Sequence, residues 1–192
     1  MKTIMVISAS IFAFSFAACN FNSSKQTNNT DTAQTQAVIT PASITANNAK
    51  PADGILTGYI NLKNSLAADN GSDAAKNGQE ILDAVSKFDS SSLTPEQKKT
   101  FLDLIGDIKE NSQHISVSGD RIHHQREHFE MLSEDMTDLI KAVGTGKTLY
   151  LDSCSMYDNG RGTWLSEFKE IKNPYFGKKM DTCGTVKETI KQ

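Results

Sequence analysis

Cysteine is scarce in this chain, three residues among 192, as are proline, with four, and tryptophan, with one. So few thiols cannot build a disulfide-rich framework or a four-thiolate zinc site, and no Cys-x-x-Cys pair is present to support a thioredoxin-like protein. Neither sign of charge dominates: 20 basic side chains face 23 acidic ones, and the formal net charge of -3 offers nucleic acid no general attraction, so no nucleic-acid partner is expected. No nucleophile elbow occurs, no carboxylate pair stands at a recognisable catalytic spacing, and Cys154 has no sequence-local base, so an enzyme is not expected. Also missing is an apolar run long enough to cross a hydrocarbon layer of ~30 Å. The stretch nearest to one, Ile4 to Phe14, is short and follows the basic Lys2, which is the layout of a signal peptide rather than a span.

That stretch closes on Phe16-Ala17-Ala18-Cys19, which resembles a bacterial lipobox, with Phe16 where the motif usually has Leu. Residues 1–18 are therefore expected to be a cleaved signal peptide and Cys19 the lipidated first residue of the mature chain. The alternative is an ordinary signal peptide cut after Ala18, and both place the protein outside the cytoplasm. No strong acidic run follows Cys19, so the expected location is the cell envelope, lipid-anchored and facing the periplasm. Residues 19–53 are dominated by Asn, Thr, Ser, Gln and Ala, too little apolar surface to offset ordering entropy, and are read as a flexible tether.

The folded domain is expected over residues 54–192, helical to about residue 144. Ile55, Tyr59, Leu62 and Leu66 recur at helical spacing, and a second helix from around Ser72 places Ala75, Gly78, Leu82 and Val85 on one side, with Ile81 and Phe88 beside them. Thr94, Pro95 and Gln97 form a capping-box start for a third helix whose buried face is Phe101, Leu104, Ile105 and Ile108. After Ser118-Gly119 a fourth helix carries Ile122, Phe129, Leu132, Met136, Leu139 and Val143, and Gly144 is its natural stop. Four amphipathic helices with short connections predict a mainly α protein, an antiparallel four-helix bundle. Residues 145–192, with a short strand at Leu149-Tyr150-Leu151, are expected to pack on it as a small Cys/Met-containing sheet or irregular layer.

Three motifs invite chemistry. Gly144-Thr145-Gly146-Lys147-Thr148 is a fragment of a phosphate loop, but Lys141 stands where the earlier glycine belongs and a helix precedes it, so a helix exit is the better reading. His123, His124 and His128 lie on the fourth helix, and the i,i+4 pair His124 and His128 aims two imidazoles at one ion. Gln125 occupies the place of a zincin's catalytic Glu, and the competing reading is a solvated polar flank. In the tail, Cys154-Ser155-Met156 and Met180-Asp181-Thr182-Cys183 twice bring a thiol near a thioether, soft donors that suit Cu(I) or Ag(I). The competing reading is a Cys154–Cys183 disulfide with both methionines filling gaps.

The tail segments Cys154-Ser155-Met156, Gly162-Thr163-Trp164-Leu165-Ser166 and Asn173-Pro174-Tyr175-Phe176-Gly177, with Met180 and Cys183-Gly184, join Gln125-Arg126-Glu127-His128-Phe129 upstream in a pattern that resembles a bacterial family of uncharacterised periplasmic domains. The resemblance spans roughly Gly54 to Ile190, with Ser155 where the family usually has Pro. Its members occur as single-domain lipoproteins and fused to periplasmic adaptor subunits of copper/silver-type heavy-metal efflux pumps. It therefore implies a copper or silver ion held by Cys154, Met156, Met180 and Cys183, with His124 and His128 as additional ligands, for buffering or delivery to an efflux system. The alternative is a non-enzymatic interaction module with a structural Cys154–Cys183 disulfide. Expected partners are the membrane, through the lipid, and a pump adaptor.

Overall fold

The computed structural model describes residues 50–191; the expected signal peptide, the expected lipidation site Cys19 and the expected tether up to residue 49 lie outside the described residues. Helix α1, Asp53–Ala67, buries the expected stripe of Ile55, Tyr59, Leu62 and Leu66, and Leu56 with it. Ala52, just upstream, is fully buried, so ordered packing reaches slightly further back than Gly54. Asp69, at φ 58, turns the chain into α2, Gly71–Ser86, whose start is Asn70: its side chain accepts from Asp73 N at 3.0 Å. The buried face of α2 holds Gly78 and Val85 as expected, with Ala74 and Ile81 inside in place of Ala75 and Leu82, which lie at the edge. Gly78 is where α3 comes close, since a Cβ there would meet the Ser112 carbonyl and the Ser116 amide at 3.0 Å.

Helix α3, Pro95–Val117, begins with the capping box read from the sequence: Gln97 N donates to Thr94 Oγ1 at 3.3 Å and Thr94 N donates to Gln97 Oε1 at 3.1 Å. Helix α4, Ile122–Val143, buries Phe129, Leu132, Met136, Leu139 and Val143 as expected and ends at Gly144, φ 83, whose amide donates to the Ile140 carbonyl at 3.0 Å. Consecutive helices pack on one another.

The chain then forms a three-stranded antiparallel sheet, β1 Leu149–Cys154, β2 Gly162–Ser166 and β3 Thr185–Ile190, in the order β2-β1-β3. β1 pairs with β2 from Tyr150↔Ser166 to Cys154↔Gly162, and its pairing with β3 shifts register between Leu151 and Asp152. β2 lies on α4, and Leu149, Trp164, Leu165 and Tyr175 join the helical core rather than forming one of their own. The protein is thus mainly α with a small sheet. Two side chains tie the layers together. The Tyr59 hydroxyl sits 2.8 Å from Ser133 Oγ and accepts from Leu165 N at 3.1 Å, which joins α1, α4 and β2. Arg126 donates to Pro174 O and Asp69 Oδ1, both at 2.7 Å, and to Leu66 O at 2.9 Å, so one guanidinium both pairs with an acid and docks the tail.

Candidate metal centre

The turn at Ser118–Asp120, with Gly119 at φ 62, brings the end of α3 beside the start of α4. Gln125 locks this corner: fully buried, it donates from Nε2 to Gly71 O and to Gly119 O, both at 2.8 Å. Its role is to hold backbone, which is what a buried amide does where a zincin would have its catalytic carboxylate.

The corner assembles three imidazoles. His114 from α3 and His124 and His128 from α4 place one ring nitrogen each within 4.8 Å of the others, and among the described residues this is the group of three His, Cys, Asp or Glu donors close enough to hold one ion. The His114 and His128 rings stack with centroids 4.3 Å apart, and His124 stands edge-on to His128 at 4.7 Å. His128 Nδ1 lies 3.0 Å from Asn111 Oδ1, and His124 Nδ1 lies 3.1 Å from Glu127 Oε2. Both partners are acceptors, so the proton sits on Nδ1 and the lone pair on Nε2. This is how protein groups behind a metal-binding histidine orient it. Burial, with the nearby His114 and His124, holds the His128 ring below the usual imidazole range, which favours the neutral form a ligand must have. On the other side of His128 opens a cleft of about 340 Å³ walled by Asp107, Glu110, Glu134 and Asp135. Burial, then the neighbouring Asp107, Glu134 and Asp138, push the Asp135 carboxyl up to about 6.

His123, on the adjacent face of α4, is exposed and lines a different cleft with Arg126 and Tyr175. His114 was absent from the sequence expectation. The signal that could have found it is symmetry: it lies five residues before the Gly119 turn, as His124 lies five after it, which makes the two neighbours across a helical hairpin.

In the tail, two turns present the cysteines: Tyr157 N donates to Cys154 O at 3.3 Å and Cys183 N donates to Met180 O at 3.0 Å. The Sγ atoms of buried Cys154 and half-buried Cys183 are 2.8 Å apart. The hydrogen bond with Cys154, followed by burial, raises the Cys183 thiol above the usual thiol range. Met156 stands 64 % exposed on the first turn and Met180 half-buried on the second. No third His, Cys or carboxylate joins the sulfur pair among the described residues, so the expected ligands fall into two separate places, one of sulfur and one of imidazole. The Gly144–Thr148 segment leads from α4 into β1, and Lys147 N donates to Thr145 Oγ1 at 3.4 Å, a helix exit as read from the sequence.

Residues 55–148 match the model of a family described as "Protein of unknown function (DUF3347)". The match covers α2, α3, α4 and all but the first two residues of α1, takes in the three clustered histidines, and stops just before β1. No curated protein and no solved structure matches the chain.

Proposed function

We propose that this chain is an exported, lipid-anchored domain that binds a transition-metal ion without turning over a substrate, and that His114, His124 and His128 hold the ion. The observation that carries the reading is the cluster of three ring nitrogens within 4.8 Å, two of whose rings are held at Nδ1 by oxygen acceptors. Nitrogens bound at ~2.1 Å to a tetrahedral ion lie about 3.4 Å apart, so the nitrogens must close by about an ångström and the stacked His114 and His128 rings must turn out of parallel for their lone pairs to meet at one ion. Imidazole suits zinc, copper(II) and nickel better than silver, and three protein ligands leave a coordination position open. His114 is exposed, so that position faces solvent and the ion can exchange, which fits buffering or hand-over.

Copper stays within this reading, but as copper(II) at nitrogen. For copper(I) or silver at Cys154, Met156, Met180 and Cys183 the sulfurs would have to separate, since two thiolates sharing a tetrahedral ion at ~2.3 Å stand about 3.7 Å apart. They are 2.8 Å apart instead, and Cys154 is fully buried. The four helices are read as an antiparallel bundle, the arrangement that keeps the α3 end against the α4 start. A periplasmic efflux adaptor remains the proposed recipient, on the strength of the family resemblance.

Titration of the purified protein with Zn²⁺ and Cu²⁺ tests the site. One equivalent binds, affinity falls at least about tenfold in His114→Ala and in His128→Ala, and His123→Ala behaves as the parent. Because each ligand must be unprotonated, binding weakens below about pH 6. Unchanged affinity in the His114 and His128 variants would place the ion elsewhere and sink the proposal.

A further inference from the structure

The metal reading leaves the Cys154 and Cys183 pair unused. We infer that this pair is a site of oxidative closure by thiol–disulfide exchange, with Cys183 the thiol attacked through and Cys154 the thiol that resolves, and that its reaction partner is an oxidised dithiol protein or a small disulfide of the envelope. The inference does not depend on the histidine site.

Three observations support it. The sulfurs lie 2.8 Å apart, within a small side-chain rotation of a bond at ~2.05 Å. The backbone that carries Cys183 is held in place: Asn173 Nδ2 donates to the Cys183 carbonyl at 2.7 Å and Asn173 N donates to the Asp181 carbonyl at 2.7 Å. Next to it, Gly184 fits so closely that a Cβ there would meet Trp164 at 2.9 Å and the Ser153 carbonyl at 3.1 Å. Third, the two thiols differ in access. Cys154 is 0 % exposed at the end of β1, whereas Cys183 is half-buried on the turn before β3. An incoming disulfide reaches the second and not the first.

The reaction balances as two exchanges. The Cys183 thiolate attacks one sulfur of the oxidant and expels the other as a thiolate, leaving a mixed disulfide. The Cys154 thiol then loses its proton and attacks Cys183 Sγ, and the second thiolate of the oxidant leaves. Two protein thiols give up two protons and two electrons, and the oxidant becomes two thiols. The product closes residues 155–182 into a loop and fastens β1 to the start of β3, whose first five residues are exposed and lack burial to hold them. Because the hydrogen bond with Cys154 keeps the Cys183 thiol above the usual range, the first exchange quickens as pH rises.

The test is reaction of the reduced full-length chain, in a Cys19→Ser background so that only this pair carries thiols, with oxidised glutathione, read by intact mass and peptide mapping. The parent loses two hydrogens and keeps no adduct. Cys154→Ser accumulates one glutathione on Cys183, and Cys183→Ser reacts at least tenfold more slowly. A rapid acid quench of the parent, which needs no substitution at the pair, finds the transient adduct on Cys183. Two thiols persisting in the parent, dimers through these cysteines, or an adduct on Cys154 in the quench would overturn the inference.

Discussion

Asp152 carries a carboxyl into the core of the sheet. It lies in the central strand opposite Trp164, is 0 % exposed, and neither of its carboxylate oxygens has a hydrogen-bond partner among the described residues. The cation that acts on it, buried Lys63, is committed to Glu167, with Nζ 2.9 Å from Glu167 Oε2. Burial works to raise the Glu167 carboxyl, but its hydrogen bonds from Lys63 and Asn64 outweigh it and hold that group low. Asp152 is left with the opposite balance, and burial pushes its carboxyl up to about 7 against the pull of the Lys63 charge. A carboxyl raised on folding stabilises the fold below its unfolded value near 4, and that contribution is lost as pH rises to about 7. The shift caps the effect at about 4 kcal/mol. The Asp152→Asn protein should therefore match the parent in urea-denaturation midpoint near pH 4 and exceed it at pH 8. Asp135 titrates in the same sense, so the comparison rests on the difference between the two proteins. A constant gap between them from pH 4 to pH 8 would show that Asp152 does not keep its proton.

At the level of elements, local propensity and packing disagree most clearly at Gly78. A glycine inside an exposed helix is less stable than alanine by about 1 kcal/mol, so Gly78→Ala should help α2 considered alone. The Cβ, however, would land 3.0 Å from the Ser112 carbonyl and the Ser116 amide, backbone that moves only if α3 moves. We expect the substitution to lower stability by about 1–3 kcal/mol, read as a lower melting temperature; a higher one would mean that the two helices separate at little cost. The same division between local and long-range information explains what could be read from the sequence. The Thr94 box and the Gly144 stop were legible because cap and capped amide lie within a few residues. The α1 stripe was legible from its spacing, as were Gly78 and Val85 on α2, while Ala74 and Ile81 could not be told from Ala75 and Leu82 because the neighbours are chemically alike and only packing distinguishes them. β3 gave little signal, with Thr185, Lys187 and Thr189 alternating with Val186 and Glu188 and five of six residues exposed. For the site, the i,i+4 pair His124 and His128 could be read along one helix, but His114 completes it only through the fold of the hairpin. The cysteines could be paired by chemistry alone, and the exposure that distinguishes their roles is a property of the folded chain.

Across the whole molecule, α4 is a shared wall. Arg126 and His128 are two positions apart, about 200° around a helix, so one points to the tail while the other points to α3. On the tail side the Arg126 guanidinium satisfies the carbonyls of Leu66 and Pro174 and pairs with Asp69, whose carboxyl it holds below the usual range. Replacing Arg126 with Met keeps apolar bulk but leaves the buried Leu66 and Pro174 carbonyls without a donor, a loss of about 1–3 kcal/mol, while the exposed Asp69 carboxylate is taken up by water. Hydrogen exchange should then speed up at Asn173–Gly177 and along β2, where the tail rests on α4, while the amides of α2 and α3 keep most of their protection. The imidazole cluster is built on the opposite side of α4 and on α3, with its orienting groups Asn111 and Glu127 on those same helices. Zn²⁺ or Cu²⁺ affinity in Arg126→Met should therefore stay within about twofold of the parent. If affinity instead falls as far as in His128→Ala, the tail is holding the metal site in shape, and the two faces of α4 act as one unit rather than as independent walls.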